Sequence, residues 1–186
     1  MSDFLKYFLP VYLILYFGAA FVWRTVLVWK RTGVNPYTLG HADTAHDFVG
    51  GLFRLTLGVI TAVVVVYAFS EKWYAAFAPI AWLQHPALVI IGLILLGISL
   101  AWTLVAQAQM GDAWRIGIDE QHKTELVQSG VFGLSRNPIF LGMRVTLLGF
   151  FLILPNALTL ATLVLGEALM QVQVRLEEEH LARLHG

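Results

Sequence analysis

"RVTLLGFFLILPNALTLATLVLGE", residues 144–167, decides the fold. Two apolar runs flank Pro155-Asn156, with Arg144 at one far end and Glu167 at the other. Proline cannot continue a helix, and asparagine is a good N-cap for the next one. The stretch therefore reads as a tight helical hairpin. Its symmetry gives a register, because residues equally far from the turn lie at equal depth. Arg144 and Glu167 each stand 11.5 positions from the turn's midpoint, roughly 17 Å along their helices. A lone charge at that depth in hydrocarbon is costly, and opposite charges at one level pair. An Arg144–Glu167 ion pair is expected, either stapling the hairpin or also lining a polar cavity.

Working outward, apolar runs of membrane length recur along the chain. Of its 186 residues, 58% are hydrophobic and 13% are charged, against about 25% charged in an ordinary soluble domain. Mean hydropathy is +0.72. The runs predict spans at Tyr7–Trp29, Phe48–Phe69, Ala87–Gln107, Ile139–Leu154, and from Ala157 toward the C-terminus. The expected fold is all-α, a multi-pass integral membrane protein with about five transmembrane helices, the last two a hairpin extending into the cytoplasm. Residues 1–109 form an N-terminal three-helix part and 110–186 a part carrying the polar chemistry. The first span ends in Arg24, Lys30 and Arg31 rather than at a small-residue cleavage site, so it does not read as a signal peptide.

With five spans, Lys6 and Lys72 fall on one side and the other ten basic residues on or near the opposite side. The positive-inside rule then puts the N-terminus outside and the C-terminus in the cytoplasm, of a bacterial inner membrane or an endomembrane. Net charge is zero, which gives no basic field for nucleic acid. There is no cysteine, which excludes disulfides, thiolate metal sites and thiol nucleophiles.

The hairpin register also brings "GLSRNP" (133–138) to "QVRLEEEH" (173–180), with Arg136 level with Arg175 and Gly133 level with Glu178. A last helix from Ala157 to His185 would be about 43 Å long and outrun a hydrocarbon core roughly 30 Å thick. Glu177, Glu178 and Glu179 would then stand in water. Asn137-Pro138 has a plain explanation as N-cap and first helical residue. Taken with the acidic cluster, it makes a mouth where a helix N-terminus suits anions and carboxylates suit cations or ribose hydroxyls.

These residues carry a resemblance. "HKTELVQSGVFGLSRNPIFLG", an apolar hairpin, and "RLEEEHLARLHG" together resemble the isoprenylcysteine carboxyl methyltransferase family, whose general design the phospholipid N-methyltransferases share. The likeness covers about residues 110–186. It implies an integral membrane enzyme that uses S-adenosylmethionine at the cytoplasmic ends of its last helices. Carried over by motif position, the cofactor residues would be Glu125, Leu126, Val127, Gly130, Phe132, Asn137, Pro138, Phe140, Glu177 and Glu178, with Arg136 at the opening. The acceptor would be lipophilic or a small hydrophobic molecule, an isoprenylcysteine-like carboxylate, a phospholipid amine or a thiol, reached from the lipid bilayer. Arg175 and Arg144, the latter with Glu167, are the candidates for orienting it at the reacting centre.

The sequence departs from that pattern at several points. Asn137 stands where the family has histidine, and Phe132 and Phe140 where it has tyrosine. The arginine four residues before the acidic pair falls on Gln173, with Arg175 displaced by two. The family continues into a tail with tyrosine and arginine where this chain reads "LHG", so the comparison implies a shortened lid. Two other readings follow: a membrane scaffold of the same fold without turnover, and a sterol-type reductase using NADPH. His41, Asp43, His46 and Asp47 offer metal-ligand types, but the two histidines are five apart and read as part of an ordinary loop. Gly92 and Gly97 are read as points of close helix approach.

Overall fold

The computed structural model describes residues 2–38, 44–117 and 127–185. Helices α1 (Ser2–Phe17) and α2 (Arg24–Thr32) are joined without a break by a π-helical segment, Gly18–Trp23. Then come α3 (Ala45–Phe69), a short α4 (Glu71–Ala75), α5 (Pro86–Met110), α6 (Pro138–Ile153) and α7 (Ala157–His185). The described residues hold no strand, only two isolated bridges, Tyr37 to Ile116 and Pro79 to Asn156. The protein is all-α and multi-pass, with four helical segments long and apolar enough to cross a membrane.

The helix expected as the fourth span forms, but α6 has only 16 residues, about 24 Å, and is shorter than the four segments of membrane-crossing length. Pro138 starts it, and Leu154-Pro155 ends it. The hairpin turn is not at the surface but roofed by the segment after α4. Ile80 N–H donates to Pro155 O at 2.8 Å, and Ala157 N–H donates to Phe77 O at 3.0 Å. Asn156, 0% exposed, caps α7 as expected. Its Oδ1 accepts from Leu158 N at 2.9 Å and Thr159 N at 3.0 Å, while Nδ2 donates to Leu154 O at 3.0 Å and Tyr74 Oη at 3.3 Å. Burial pushes the Tyr74 phenol above its ordinary value, against the opposing pull of the Asn156 bond.

The tightest helix pair is α5 with α6. A Cβ on Gly92 would come within 2.6 Å of Ile153 and 2.8 Å of the Gly149 carbonyl, so only glycine permits this approach. Gly97, expected to act likewise, has no neighbour within 4 Å. It lies on another face of α5, five positions from Gly92, which is about 140° around the helix.

The first three spans are less plain than their composition predicts. Ser99, Thr103 and Gln107 repeat every four residues along α5 and are all buried. They make a polar seam against α1 and α6. Tyr12 Oη donates to Leu96 O at 3.0 Å, and Thr146 Oγ1 donates to Ser99 Oγ at 2.9 Å. Gln107 Nε2 donates to Ala20 O, inside the π-helical segment, at 2.8 Å. Arg24, expected among the charges at the membrane edge, is instead buried, with its guanidinium on Gly111 O at the end of α5. A cation at a helix C-terminus is favoured by the orphan carbonyls there.

Candidate functional site

The loop before α6 is built around one side chain of α5. Gln109 Oε1 accepts from Val131 N–H at 2.8 Å. Gly130 has φ +63° and lies directly against the Gln109 amide, where a Cβ would overlap it. Glycine is thus required twice, for the left-handed backbone and for the contact. The turn Gly130–Gly133 follows, and Trp102 Nε1 donates to Pro138 O at 2.8 Å, fixing the start of α6. Asn137 occupies the N-cap position but its side chain makes no capping bond, contrary to expectation. Its N–H instead meets Ser135 Oγ at 3.3 Å, leaving the Asn137 amide uncommitted to the cap. Phe132 and Phe140 are half-buried. Phe140 stacks on Phe53 of α3, 6.5 Å between centroids and 11° between planes.

The acidic end of α7 meets this loop. Arg136 Nη1 lies 3.6 Å from Glu178 Oε1, so the "GLSRNP" and "EEE" segments converge, although the pairing is about one turn beyond the simple hairpin count. Arg175, expected level with Arg136, is exposed. Glu125 and Leu126 lie outside the described residues. Val127 is half-buried. Glu177 is held from its own helix, with Gln173 Nε2 donating to its Oε1 at 3.2 Å.

Arg144 and Glu167 form the expected pair, Nε to Oε2 at 3.0 Å. The contact is close, yet Arg144 Nε is not aligned as a hydrogen-bond donor. Gln171 Nε2 holds the other carboxylate oxygen at 2.8 Å. The side chains are 30% and 46% exposed. A cavity of about 30 Å³ lies elsewhere, between α1, α3 and α6, walled by Leu13, Phe17, Ile60, Thr146 and Phe150 among others. The pair therefore staples the hairpin and does not line that cavity. Glu167 and Glu178 are 11 residues apart on one helix, about 16 Å. The ion pairs that link α7 to α6 and its preceding loop thus lie at two levels, one at the mouth and one deeper.

One residue at the mouth was read as loop and is not. His46 lies in the first turn of α3, and its Nδ1 is 2.9 Å from Gln173 Nε2. The helix begins at Ala45 because Thr44 accepts from Asp47 N at 3.2 Å and donates to the Asp47 carboxylate at 3.2 Å. "TAHD" is the Ser/Thr-x-x-acid signature of a helix start, and it could have placed His46 on the helix. His41 and Asp43 lie outside the described residues. Among the described residues no three His, Asp or Glu side chains gather as metal ligands.

A polytopic helical bundle with a polar, two-signed mouth at the end of a hairpin defines a class: an all-α, multi-pass membrane protein. The sequence profile of the phospholipid methyltransferase family matches residues 87–186, just over half of the chain. The chain belongs to that family, and with it to the membrane methyltransferases. The match takes in α5 as well as the loop and hairpin that carried the resemblance. Comparisons with curated proteins and with solved structures give no match.

Proposed function

We propose that the protein transfers a methyl group from S-adenosylmethionine to the amine of a membrane lipid at the cytoplasmic face. The observation that carries this reading is the convergence of the Gly130–Pro138 loop with the acidic end of α7, closed by Arg136 and Glu178 at 3.6 Å. The donor set suits the cofactor. Glu177 and Glu178 offer carboxylates to hydroxyls or an ammonium, and Phe132 and Phe140 offer ring faces. The cofactor supplies a methyl on a sulfonium, an already activated leaving group.

The chain's part is then alignment and proton management. In-line displacement needs nucleophile, methyl and sulfur held in a row, which is a matter of proximity and orientation. Gln109 and Trp102 make the loop rigid enough for that. An amine must also lose a proton, unlike a carboxylate or thiolate, and the mouth's carboxylates and His46 are the groups within the site able to hold one. Family membership favours a lipid acceptor. The position where the resembling pattern has arginine is the neutral Gln173, which favours an amine over an anionic acceptor. Arg144 and Arg175 remain the candidates for gripping an anionic group of the lipid. The orientation, N-terminus outside, is supported by Lys6 and Glu71 pairing at 3.1 Å near the hairpin roof while Arg31, Arg115 and Arg136 lie at the other end.

Calorimetric binding of S-adenosylmethionine and S-adenosylhomocysteine to detergent-purified protein tests the reading, beside a Glu177→Ala/Glu178→Ala control. Micromolar binding that the control abolishes supports it. A folded chain that binds neither, or binds NADPH instead, refutes it.

A further inference from the structure

We propose that Gln173 presents its carbonyl oxygen to an alkylammonium group in the site, and that His46 is the positioning residue that turns the amide to do so. This rests on the methyl-transfer reading above and assigns it a residue that motif matching does not.

The geometry at Gln173 is over-determined. Its Nε2 lies 2.9 Å from His46 Nδ1 and 3.2 Å from Glu177 Oε1. A primary amide has two N–H donors, and these two acceptors use both. The orientation in turn requires His46 Nδ1 to be the unprotonated ring nitrogen. With Glu177 ionised, reversing the amide would set its oxygen against the carboxylate, two acceptors face to face. The carbonyl oxygen is therefore directed away from both. It is shielded from solvent and meets no donor, in a residue only 5% exposed. Buried acceptors are seldom left in that state, and those that are call for an explanation.

The surroundings say which donor fits. Glu177 is in direct contact with the amide, and Glu178 is the next residue. Arg136 at the mouth is turned to Glu178 and largely exposed, and Arg175, two residues on from Gln173, is exposed. A carboxylate ligand would meet like charge and an acceptor oxygen. An ammonium would meet a carboxylate and a carbonyl, and charge-assisted bonds of that kind are the strong ones. Two molecules in the proposed reaction carry such a group: the amino-acid arm of the cofactor and the amine of the acceptor lipid. His46 comes from α3 and Gln173 from α7, so the contact also ties the N-terminal helices to the site.

The experiment uses the full chain in detergent, with Gln173→Met, His46→Ala and His46→Asn. Asparagine can place an acceptor oxygen near the position of His Nδ1. Binding of S-adenosylhomocysteine is compared with that of 5′-methylthioadenosine, which keeps the nucleoside and lacks the amino-acid arm. The KM for phosphatidylethanolamine in mixed micelles is measured alongside. If the cofactor's ammonium is the donor, Gln173→Met weakens S-adenosylhomocysteine roughly ten- to a hundred-fold and leaves methylthioadenosine within about two-fold. If the acceptor's amine is the donor, homocysteine-arm binding is kept and the KM rises by a similar factor. In either case His46→Ala reproduces the selective loss and His46→Asn reverses it. Equal weakening of both nucleosides, or no change in any of the three quantities, overturns the assignment. Should Gln173→Met not fold by circular dichroism, Gln173→Asn withdraws the oxygen by one methylene and carries the same test. Failure of the wild-type chain to bind S-adenosylhomocysteine would overturn the methyl-transfer reading, and this assignment with it.

Discussion

Breaking the Arg144–Glu167 pair from one side should cost nearly as much as removing it from both. The charges are 3.0 Å apart at their nearest atoms, with charge centres about 4 Å apart, which at an effective dielectric of 20 gives about 4 kcal/mol of attraction. The side chains are 30% and 46% exposed and Arg144 Nε is poorly aligned, so much of this is lost to screening and geometry. A coupling of about 1–2 kcal/mol remains after that discount. Glu167→Gln leaves a guanidinium without its counter-charge inside the membrane-spanning hairpin, and about 2–3 kcal/mol of destabilisation is expected from the cost of an unpaired arginine there. Arg144→Met should cost somewhat less, because Gln171 still holds Glu167 at 2.8 Å. The double variant should lie about 1–2 kcal/mol above the sum of the singles, since two paired charges are replaced by a methionine and a neutral amide. Unfolding in mixed micelles with increasing sodium dodecyl sulfate, followed by circular dichroism, measures all three. Strict additivity would refute the pairing as an energetic unit.

Three further outcomes are expected. Asn156→Ala removes the one oxygen that accepts both capping N–H groups and the nitrogen that donates two more bonds, from a side chain that is 0% exposed, and should lower stability by about 2–4 kcal/mol in the same titration. Gly92→Ala sets a methyl against Ile153 and the Gly149 carbonyl and should cost about 1–3 kcal/mol, whereas Gly97→Ala, with open space around it, should be neutral or slightly stabilising by thermal melt. The Tyr74 phenol is raised in the folded state by burial, so the stability linked to it is fully present below pH 10 and is lost as pH rises through the folded-state value. An alkaline stability profile whose fall is unchanged in Tyr74→Phe would contradict that.

The hairpin was legible because its signals are local and symmetric: one Pro-Asn, two equal apolar arms, and opposite charges at matching distances. The same count brought Arg136 to the acidic end of α7 but put it level with Arg175, one turn short of Glu178. The deep turn and its roof shift where the arms end, and a flexible arginine reaches further than a backbone level suggests. Helix α6 was legible as a helix but not in its shortness, and nothing near Pro155 announces residues 77–80, which cover the turn. His46 was missed through a loop reading that gave weight to histidine spacing and none to the Thr44–Asp47 cap. The polar seam was missed for another reason. Ser99, Thr103 and Gln107 each look isolated in a hydrophobic run, and only a four-residue count aligns them on one face.

The π-helical segment in the first rod makes that rod a phase shifter. A wide turn holds one residue more than an α-helical path would, so everything after Gly18–Trp23 is rotated by about 100° relative to an unbroken helix. Before the shift, Tyr12 and Tyr16 face the apolar interior. After it, Arg24 faces the end of α5 and reaches Gly111. One straight helix could not aim both sets of side chains at the same neighbours. The Ala20 carbonyl, within the wide turn, accepts from Gln107, so the seam on α5 and the irregularity on the first rod are two halves of one device. Through it, the rod's first half serves as packing while its second half seals the C-terminus of the helix whose Gln109, two residues before that seal, holds the site loop.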